Sequence, residues 1–313
     1  MDRCIERRDF IMYVGIRDVC LFQAGYNSIA EGMEDLNLVG IELAVDRNMC
    51  IPAAHGSLGR PRLSIADALA AITASEGYAR QGMQIMSLLV ANNFNAQNQA
   101  AEIRWTQKAL QMGEVIGAEV VRIDAAMTGQ KTLPASRRVD IFASAVEQVL
   151  DESAGNTVML AVENHGLQGN DPRWLSTLLE RVDDERFGLT LDAANFYWAG
   201  YPLSRVYELV EQFAPRVRHV HCKNIDYPLA YQQRQRPLGW EYGQYVMPVH
   251  QGNIDYSKIV QILAEAGYQG GLYIEDESLA KFAPAERPES LRRQVEYLAE
   301  LVADFAPRPY WMS

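Results

Sequence analysis

The sequence predicts an α/β fold, a parallel (β/α)8 TIM barrel built as one domain over residues 1–313. Three observations carry this prediction. Eight short runs rich in Val, Ile and Leu recur along the chain, most of them apolar at almost every position, as strands buried on both faces are. Amphipathic helical patterns separate successive runs. The first run is followed by Arg17-Asp18-Val19-Cys20-Leu21, with no glycine-rich phosphate turn of the kind that a doubly wound open sheet, the competing architecture, would carry.

In chain order the strands fall at Met12–Ile16, Val39–Leu43, Ile85–Val90, Val120–Ile123, Val158–Val162, Gly188–Leu191, Val217–Val220 and Gly271–Ile274. A helix fits Asn27–Leu36. Ser64-Ile65-Ala66-Asp67 opens the next with a capping pattern, and it continues to about Gln81. Asn98–Ile116 and Ser136–Glu152 follow. Asn170-Asp171-Pro172 starts another, with a side-chain cap and a proline in the first turn. Ser204–Phe213 comes next, then a helix from Asp255 that Gly267 closes, then Glu289–Phe305. Two connections are longer than a barrel needs. Residues 44–63 contain Pro52, His55, Gly56, Gly59 and Pro61; the long loop 223–254 after strand seven holds Tyr227, Tyr231, Trp240, Tyr242, Tyr245 and His250. Connections of this length cover a site or mediate contacts. The C-terminal tail 306–313, with Tyr310 and Trp311, is expected to pack on its own barrel or on a neighbour, which would make a homo-oligomer.

Lys plus Arg number 29 against 40 for Asp plus Glu, and the net charge of −11 repels phosphate backbones and anionic lipid. Nucleic acid and membrane surfaces are therefore not expected partners. The four cysteines show neither CxxC nor a disulfide spacing, which fits a reduced compartment. The start, Met1 to Asp9, is charged, and the apolar run Phe10–Ile16 is too short for a signal-peptide core. With no run of about 18 apolar residues, the expectation is a soluble cytoplasmic protein.

Barrel chemistry sits at the carboxyl ends of the strands. The fifth finishes Val162-Glu163-Asn164-His165-Gly166 and the sixth Leu191-Asp192-Ala193-Ala194-Asn195. The seventh reads His219-Val220-His221-Cys222-Lys223-Asn224 and the eighth Ile274-Glu275-Asp276-Glu277. Four adjacent strands thus deliver a carboxylate, a carboxylate, an imidazole and a carboxylate. Burying three carboxylates together is costly unless a cation balances them. Three oxygen donors and one nitrogen donor suit one divalent ion: Mn²⁺ first, with Mg²⁺, Co²⁺ or Zn²⁺ as alternatives. Taken singly, each residue has a plainer reading. Asp192 could simply cap the next helix, His219 or His165 could be a packed or backbone-bonded imidazole, and Lys223 a solvated lysine.

These segments resemble the xylose isomerase-like TIM-barrel superfamily, and within it the sugar phosphate isomerase/epimerase group, which includes ketose 3-epimerases and inosose-processing enzymes. Gly252-Asn253-Ile254-Asp255-Tyr256, followed by Ala266-Gly267-Tyr268-Gln269-Gly270, is similar to the stretch leading that family into strand eight. The likeness covers about residues 155–278; over the first half it rests on topology, chiefly Val39-Gly40-Ile41-Glu42-Leu43. Carried over by position, the resemblance implies metal ligands at Glu163, Asp192, His221 and Glu275, with Glu163 and Glu275 as the acid/base pair. Glu277 is the rival to Glu275, two residues further into the loop. His165, Asn195, His219 and Lys223 are the candidate substrate contacts, with support of a metal ligand the other role open to His219. Some ketose epimerases carry a histidine where this chain has Asn195, and an arginine after the strand-seven histidine that is not evident here. Common relatives have Lys-Asp in place of Lys223-Asn224. These departures count against simple ketose 3-epimerisation and against an inosose activity.

The resemblance implies a sugar isomerase or epimerase that removes a proton next to a carbonyl through a metal-stabilised enediolate. The same chemistry can expel a β-leaving group from a 3-keto-glycoside, giving a lyase or deglycosidase; the aromatic loop 223–254 would accommodate an aglycone. A non-catalytic sugar-binding barrel is a further alternative. DNA-repair endonucleases of the same fold need more histidines than the five present and a basic face.

Overall fold

The computed structural model describes residues 12–57 and 60–305; the charged start and the tail 306–313 lie outside them. Eight strands form the barrel: β1 (Met12–Arg17), β2 (Gly40–Ala44), β3 (Gln84–Val90), β4 (Val120–Asp124), β5 (Met159–Glu163), β6 (Phe187–Asp192), β7 (Val217–Cys222) and β8 (Gly270–Ile274). Each pairs parallel with its sequence neighbours, and β8 closes on β1 from Met12↔Gly270 to Ile16↔Ile274. The expected (β/α)8 barrel is the observed one.

Side chains alternate across a strand, so each strand sorts its residues into two sets. Ile16, Ile41, Leu43, Val121, Ile123, Leu160, Val162, Leu189, Leu191, Val220, Leu272 and Ile274 are buried in the apolar core. Glu42, Ser87, Arg122, Glu163, Thr190, Asp192, His219 and His221 occupy the intervening positions and are buried as well. The lumen is thus largely polar. Its lower part is closed by aromatic rings: the Tyr13 and Tyr273 hydroxyls meet at 2.9 Å, and Tyr13 donates to Glu119 at 2.7 Å. Gly15 makes this possible, because a Cβ there would lie 2.5 Å from the Tyr273 ring.

Several boundaries differ from expectation. Ser64 does not cap a helix. It ends an antiparallel hairpin, Cys50–Ser57 with Arg60–Ser64, that occupies most of the long connection 44–63. Asp67 is the cap, accepting from the Ala70 amide, and the helix runs Ala68–Ala79. A carboxylate one residue before an alanine-rich stretch offers the better acceptor at that point. Two short helices, Asp18–Ala24 and Ala193–Trp198, directly follow β1 and β6. Both are too short for a full amphipathic period to be visible in sequence. The last long helix is Arg287–Val302, with a 3₁₀ turn over Ala303–Phe305. Among the described residues no helix is long and apolar enough to cross a membrane.

The long loop is built rather than loose. Asn224–Ile225 pairs antiparallel with Val246–Met247 at its base. Arg236 is its pin. Its guanidinium lies 4.4 Å from both the Tyr197 and Tyr227 ring centres, and it donates to the carbonyls of Tyr231, Arg234, Tyr197 and Tyr201 at 2.6–3.0 Å. Trp240 stacks on Tyr231 and Tyr245, and Lys281 donates to the Gln244 and Val246 carbonyls. Gly200 sits beneath with φ of 100°, and a Cβ there would lie 2.1 Å from the Arg236 carbonyl oxygen. Replacing Arg236 with Ala should lower local stability around residues 227–245 by about 2–3 kcal/mol, since hydrogen bonds from a charged donor are worth roughly 1.5–3 kcal/mol each. Amide hydrogen exchange should accelerate in that segment and stay unchanged in the barrel strands; equal protection in both proteins would contradict this.

Candidate metal centre

Register brings the strand ends together. Asp192 pairs with His221 across β6 and β7, and His221 with Tyr273 across β7 and β8. Asp124 pairs with Glu163, and Arg17 with Glu42, on the neighbouring strands. One ligand atom from each of Glu163, Asp192, His221 and Glu275 falls within 4.8 Å of the other three, all buried. These are the four residues expected from sequence. His221 Nδ1 lies 3.5 Å from Glu163 Oε1 and 3.2 Å from Glu275 Oε2.

Three cations that the expected charge balance left out stand among the carboxylates. Arg122 is bonded to Glu163, and Arg17 to Glu275. Lys223 Nζ lies 3.1 Å from Asp192 Oδ2, 3.3 Å from Glu275 Oε2 and 2.7 Å from Glu277 Oε1. The three partly balance the carboxylates without any ion. Burial disfavours the Lys223 ammonium, but Asp192, Glu275 and Glu277 outweigh it and hold the lysine firmly protonated. Burial likewise pushes Glu275 up, and Lys223, His221 and Arg17 overcome it, keeping the carboxyl well below its usual range. Glu42, Glu163, Asp192 and Glu275 against Arg17, Arg122 and Lys223 leave one formal negative charge, and Glu277 and Asp124, which also face Lys223 and Arg122, add to it.

What suits an ion is the convergence of the four donors. His221 Nδ1 and Asp192 Oδ2 are buried and form no well-aligned hydrogen bond, and each faces a charged group, Glu275 Oε2 at 3.2 Å and Lys223 Nζ at 3.1 Å. Asp192 serves two purposes with its two oxygens: Oδ1 accepts the Asn195 backbone amide at 3.0 Å as a helix cap, and Oδ2 faces Lys223 Nζ at 3.1 Å. The set of three carboxylates and one imidazole fits Mn²⁺, Zn²⁺, Co²⁺ or Mg²⁺.

The expected substrate contacts divide. Asn195 is buried, and its amide donates to Glu163 Oε1 at 2.9 Å, so it orients that glutamate. His219 does not reach the mouth. It is 1% exposed, and its Nε2 lies 2.7 Å from Glu42 Oε2, which suits support rather than substrate contact. Lys223 reaches carboxylates, as above. His165 is the exposed one, 47% by side chain, with Nδ1 3.1 Å from Asp124 Oδ1. Glu277 is half-exposed and outside the ligand group; it takes hydrogen bonds from Lys223 and Tyr242. Arg17, Glu42, Arg122 and Asp124 escaped sequence reasoning. Their signal was present: a charged residue at an inward position of a barrel strand, as in Gly40-Ile41-Glu42-Leu43-Ala44 or Val120-Val121-Arg122-Ile123-Asp124, must find a partner in the lumen.

This geometry predicts one divalent ion per chain in a calorimetric titration of the metal-free protein. Asp192→Asn should lower affinity by at least tenfold, and His221→Ala should abolish binding, with both variants still folded by circular dichroism. Unchanged affinity in either would remove that residue from the ligand set.

Comparison with known proteins agrees with the architecture. An inosose dehydratase of Yersinia enterocolitica is 26% identical over 126 residues, 39% of this chain and 42% of that protein. One of Clostridium botulinum is 26% identical over 156 residues, 47% of each. The chain thus spans less than half the length of these curated relatives. Among solved structures, that of an IOLI protein with a zinc atom superposes with a TM-score of 0.69 at 15% identity, over 95% of this chain and all of that one, which shows the shared fold. The family model described as xylose isomerase-like TIM barrel matches residues 35–301, and the chain belongs to that family.

Proposed function

We propose that the protein is a metal-dependent carbon–oxygen lyase acting on a keto sugar, keto-glycoside or ketocyclitol. One observation supports the metal part of this reading: buried ligand-type atoms of Glu163, Asp192, His221 and Glu275 converge within 4.8 Å of one another. The curated relatives favour elimination over the isomerisation or epimerisation expected from sequence, since those proteins are inosose dehydratases. They also weigh against setting inosose chemistry aside on the strength of Asn195 and Asn224.

A divalent ion held by Glu163, Asp192, His221 and Glu275 would supply Lewis-acid polarisation of the substrate carbonyl. The remaining tasks fall to the chain's own groups. Glu163 meets Arg122, the neutral Asn195 amide and, at 3.5 Å, His221, whereas Glu275 meets Arg17, Lys223 and His221. With fewer cations against it, Glu163 is assigned the α-proton. The Lys223 ammonium stands beside Asp192 and Glu275, ready to hydrogen-bond a substrate oxygen that gains negative charge. His165, held through Nδ1 by Asp124 and half-exposed, is assigned the delivery of a proton to the departing β-oxygen. The α C–H and β C–O bonds break, a carbon–carbon double bond forms, and the oxygen leaves as water or an alcohol.

Metal-loaded protein incubated with an inosose and with a 3-keto-glycoside should produce an enone absorbance in the ultraviolet, lost on chelation and restored by the ion. Epimerised or isomerised free ketose without enone would overturn the elimination. At saturating metal, Glu163→Gln and Glu275→Gln should each lower turnover by about 10²–10⁴-fold, the usual weight of one positioned acid/base group. Near-normal turnover of a metal-loaded Glu275→Gln protein would reject a role for that residue.

A further inference from the structure

Beneath the ligand cluster, a single carboxylate holds both histidines of β7. Glu42 Oε1 lies 2.9 Å from His221 Nε2, and Glu42 Oε2 lies 2.7 Å from His219 Nε2. Oε2 also accepts the Ser87 hydroxyl at 2.7 Å, and Oε1 stands 3.4 Å from Arg17 Nε. Every partner is a donor or can act as one, and Glu42 is 1% exposed. A guanidinium only donates. Glu42 Oε1, facing Arg17, is therefore the acceptor toward His221, whose Nε2 then carries the proton.

We infer that Glu42 is a positioning residue for the metal centre: by binding Nε2–H of His221 it sets that ring's orientation and leaves Nδ1 as the nitrogen turned to Glu163, Asp192 and Glu275. The inference rests on the metal reading above and extends it to a strand, β2, that supplies none of the four ligands. It follows the general behaviour of metal-bound histidines, whose second nitrogen is held by a carboxylate that fixes tautomer and angle. Glu42, His219 and His221 also form a trio with ligand atoms close enough for an ion of their own. Their separations of 2.7 and 2.9 Å are hydrogen-bond distances, which leaves no room between nitrogen and oxygen for a cation. His219 then has a defined task. It occupies the far oxygen of Glu42 and, with Ser87, stops the carboxylate from turning away from His221.

The partners also predict how substitutions differ. In Glu42→Gln, the amide oxygen should take the Oε1 position, because Arg17 there can only donate. The NH₂ should take the Oε2 position, where the Ser87 hydroxyl can accept. His221 keeps its acceptor and His219 absorbs the change. In Glu42→Met the acceptor is lost with the side-chain volume kept. Calorimetric titration of metal-free proteins with Mn²⁺ or Zn²⁺ should show affinity lowered about 10–100-fold in Glu42→Met, the usual effect of losing such a partner, and less than tenfold in Glu42→Gln. Equal losses in the two variants, or none in Glu42→Met, would overturn the inference. A second measurement holds even if Glu42→Met does not fold. In wild-type protein labelled with ¹⁵N-histidine, His221 should carry its proton on Nε2 in both metal-free and zinc-loaded states; an unprotonated Nε2 would overturn the inference. Should the wild-type protein bind no divalent ion while Nε2 is protonated, the metal reading fails, and the role of Glu42 in serving that centre falls with it.

Discussion

Four carboxylates, Glu42, Glu163, Asp192 and Glu275, are buried in the upper lumen of one barrel, and the surrounding side chains answer the repulsion among them. Charge in a low-dielectric interior is tolerated only when it is paired and hydrogen-bonded. Here the answers come from every side of the ring: Arg17 from β1, Arg122 from β4, Lys223 after β7, and the two imidazoles of β7. Four buried polar atoms of this network, on Arg17, Arg122, His221 and Asp192, form no well-aligned hydrogen bond, and the last two are ligand-type atoms. Four ligand-type atoms converging at one point are what the proposed metal site adds to a buried ion-pair network.

The barrel and the four converging residues were legible in the sequence because both repeat. Eight apolar runs alternate with helices, and four successive runs end in a ligand-type residue, so each instance strengthens the others. The supporting groups do not repeat. Glu42 and Arg122 are single charged residues inside otherwise apolar strands, and only the closed ring shows that they face the same lumen as Glu163 and His221. Arg17 ends the first strand, in a half of the chain where the resemblance rested on topology alone. The roles expected of His219 and Asn195 shifted for a related reason. Sequence spacing places a side chain on the correct face of a strand or helix but says nothing of depth. His219 sits one layer below the mouth, and Asn195 turns inward to Glu163.

The loop after β7 connects to this chemistry through a chain of contacts. Tyr242 of the loop donates to Glu277 at 2.9 Å, Glu277 accepts from Lys223 at 2.7 Å, and Lys223 stands against Asp192 and Glu275. Arg236 and Lys281 fasten the loop on either side. The long loop, expected to cover a site or mediate contacts, is thus tied to the buried cluster, with Tyr231, Trp240 and Tyr245 stacked in it. A reactive centre made of strand ends needs such a wall to define what approaches it.

The most direct measurement is diffraction from manganese-soaked crystals, with data collected on both sides of the metal absorption edge. The account predicts one anomalous peak bounded by Glu163, Asp192, His221 Nδ1 and Glu275, with the His221 Nε2–Glu42 contact intact. A cluster empty of signal, or a peak seated instead on the Nε2 side between Glu42 and the two histidines, would contradict it.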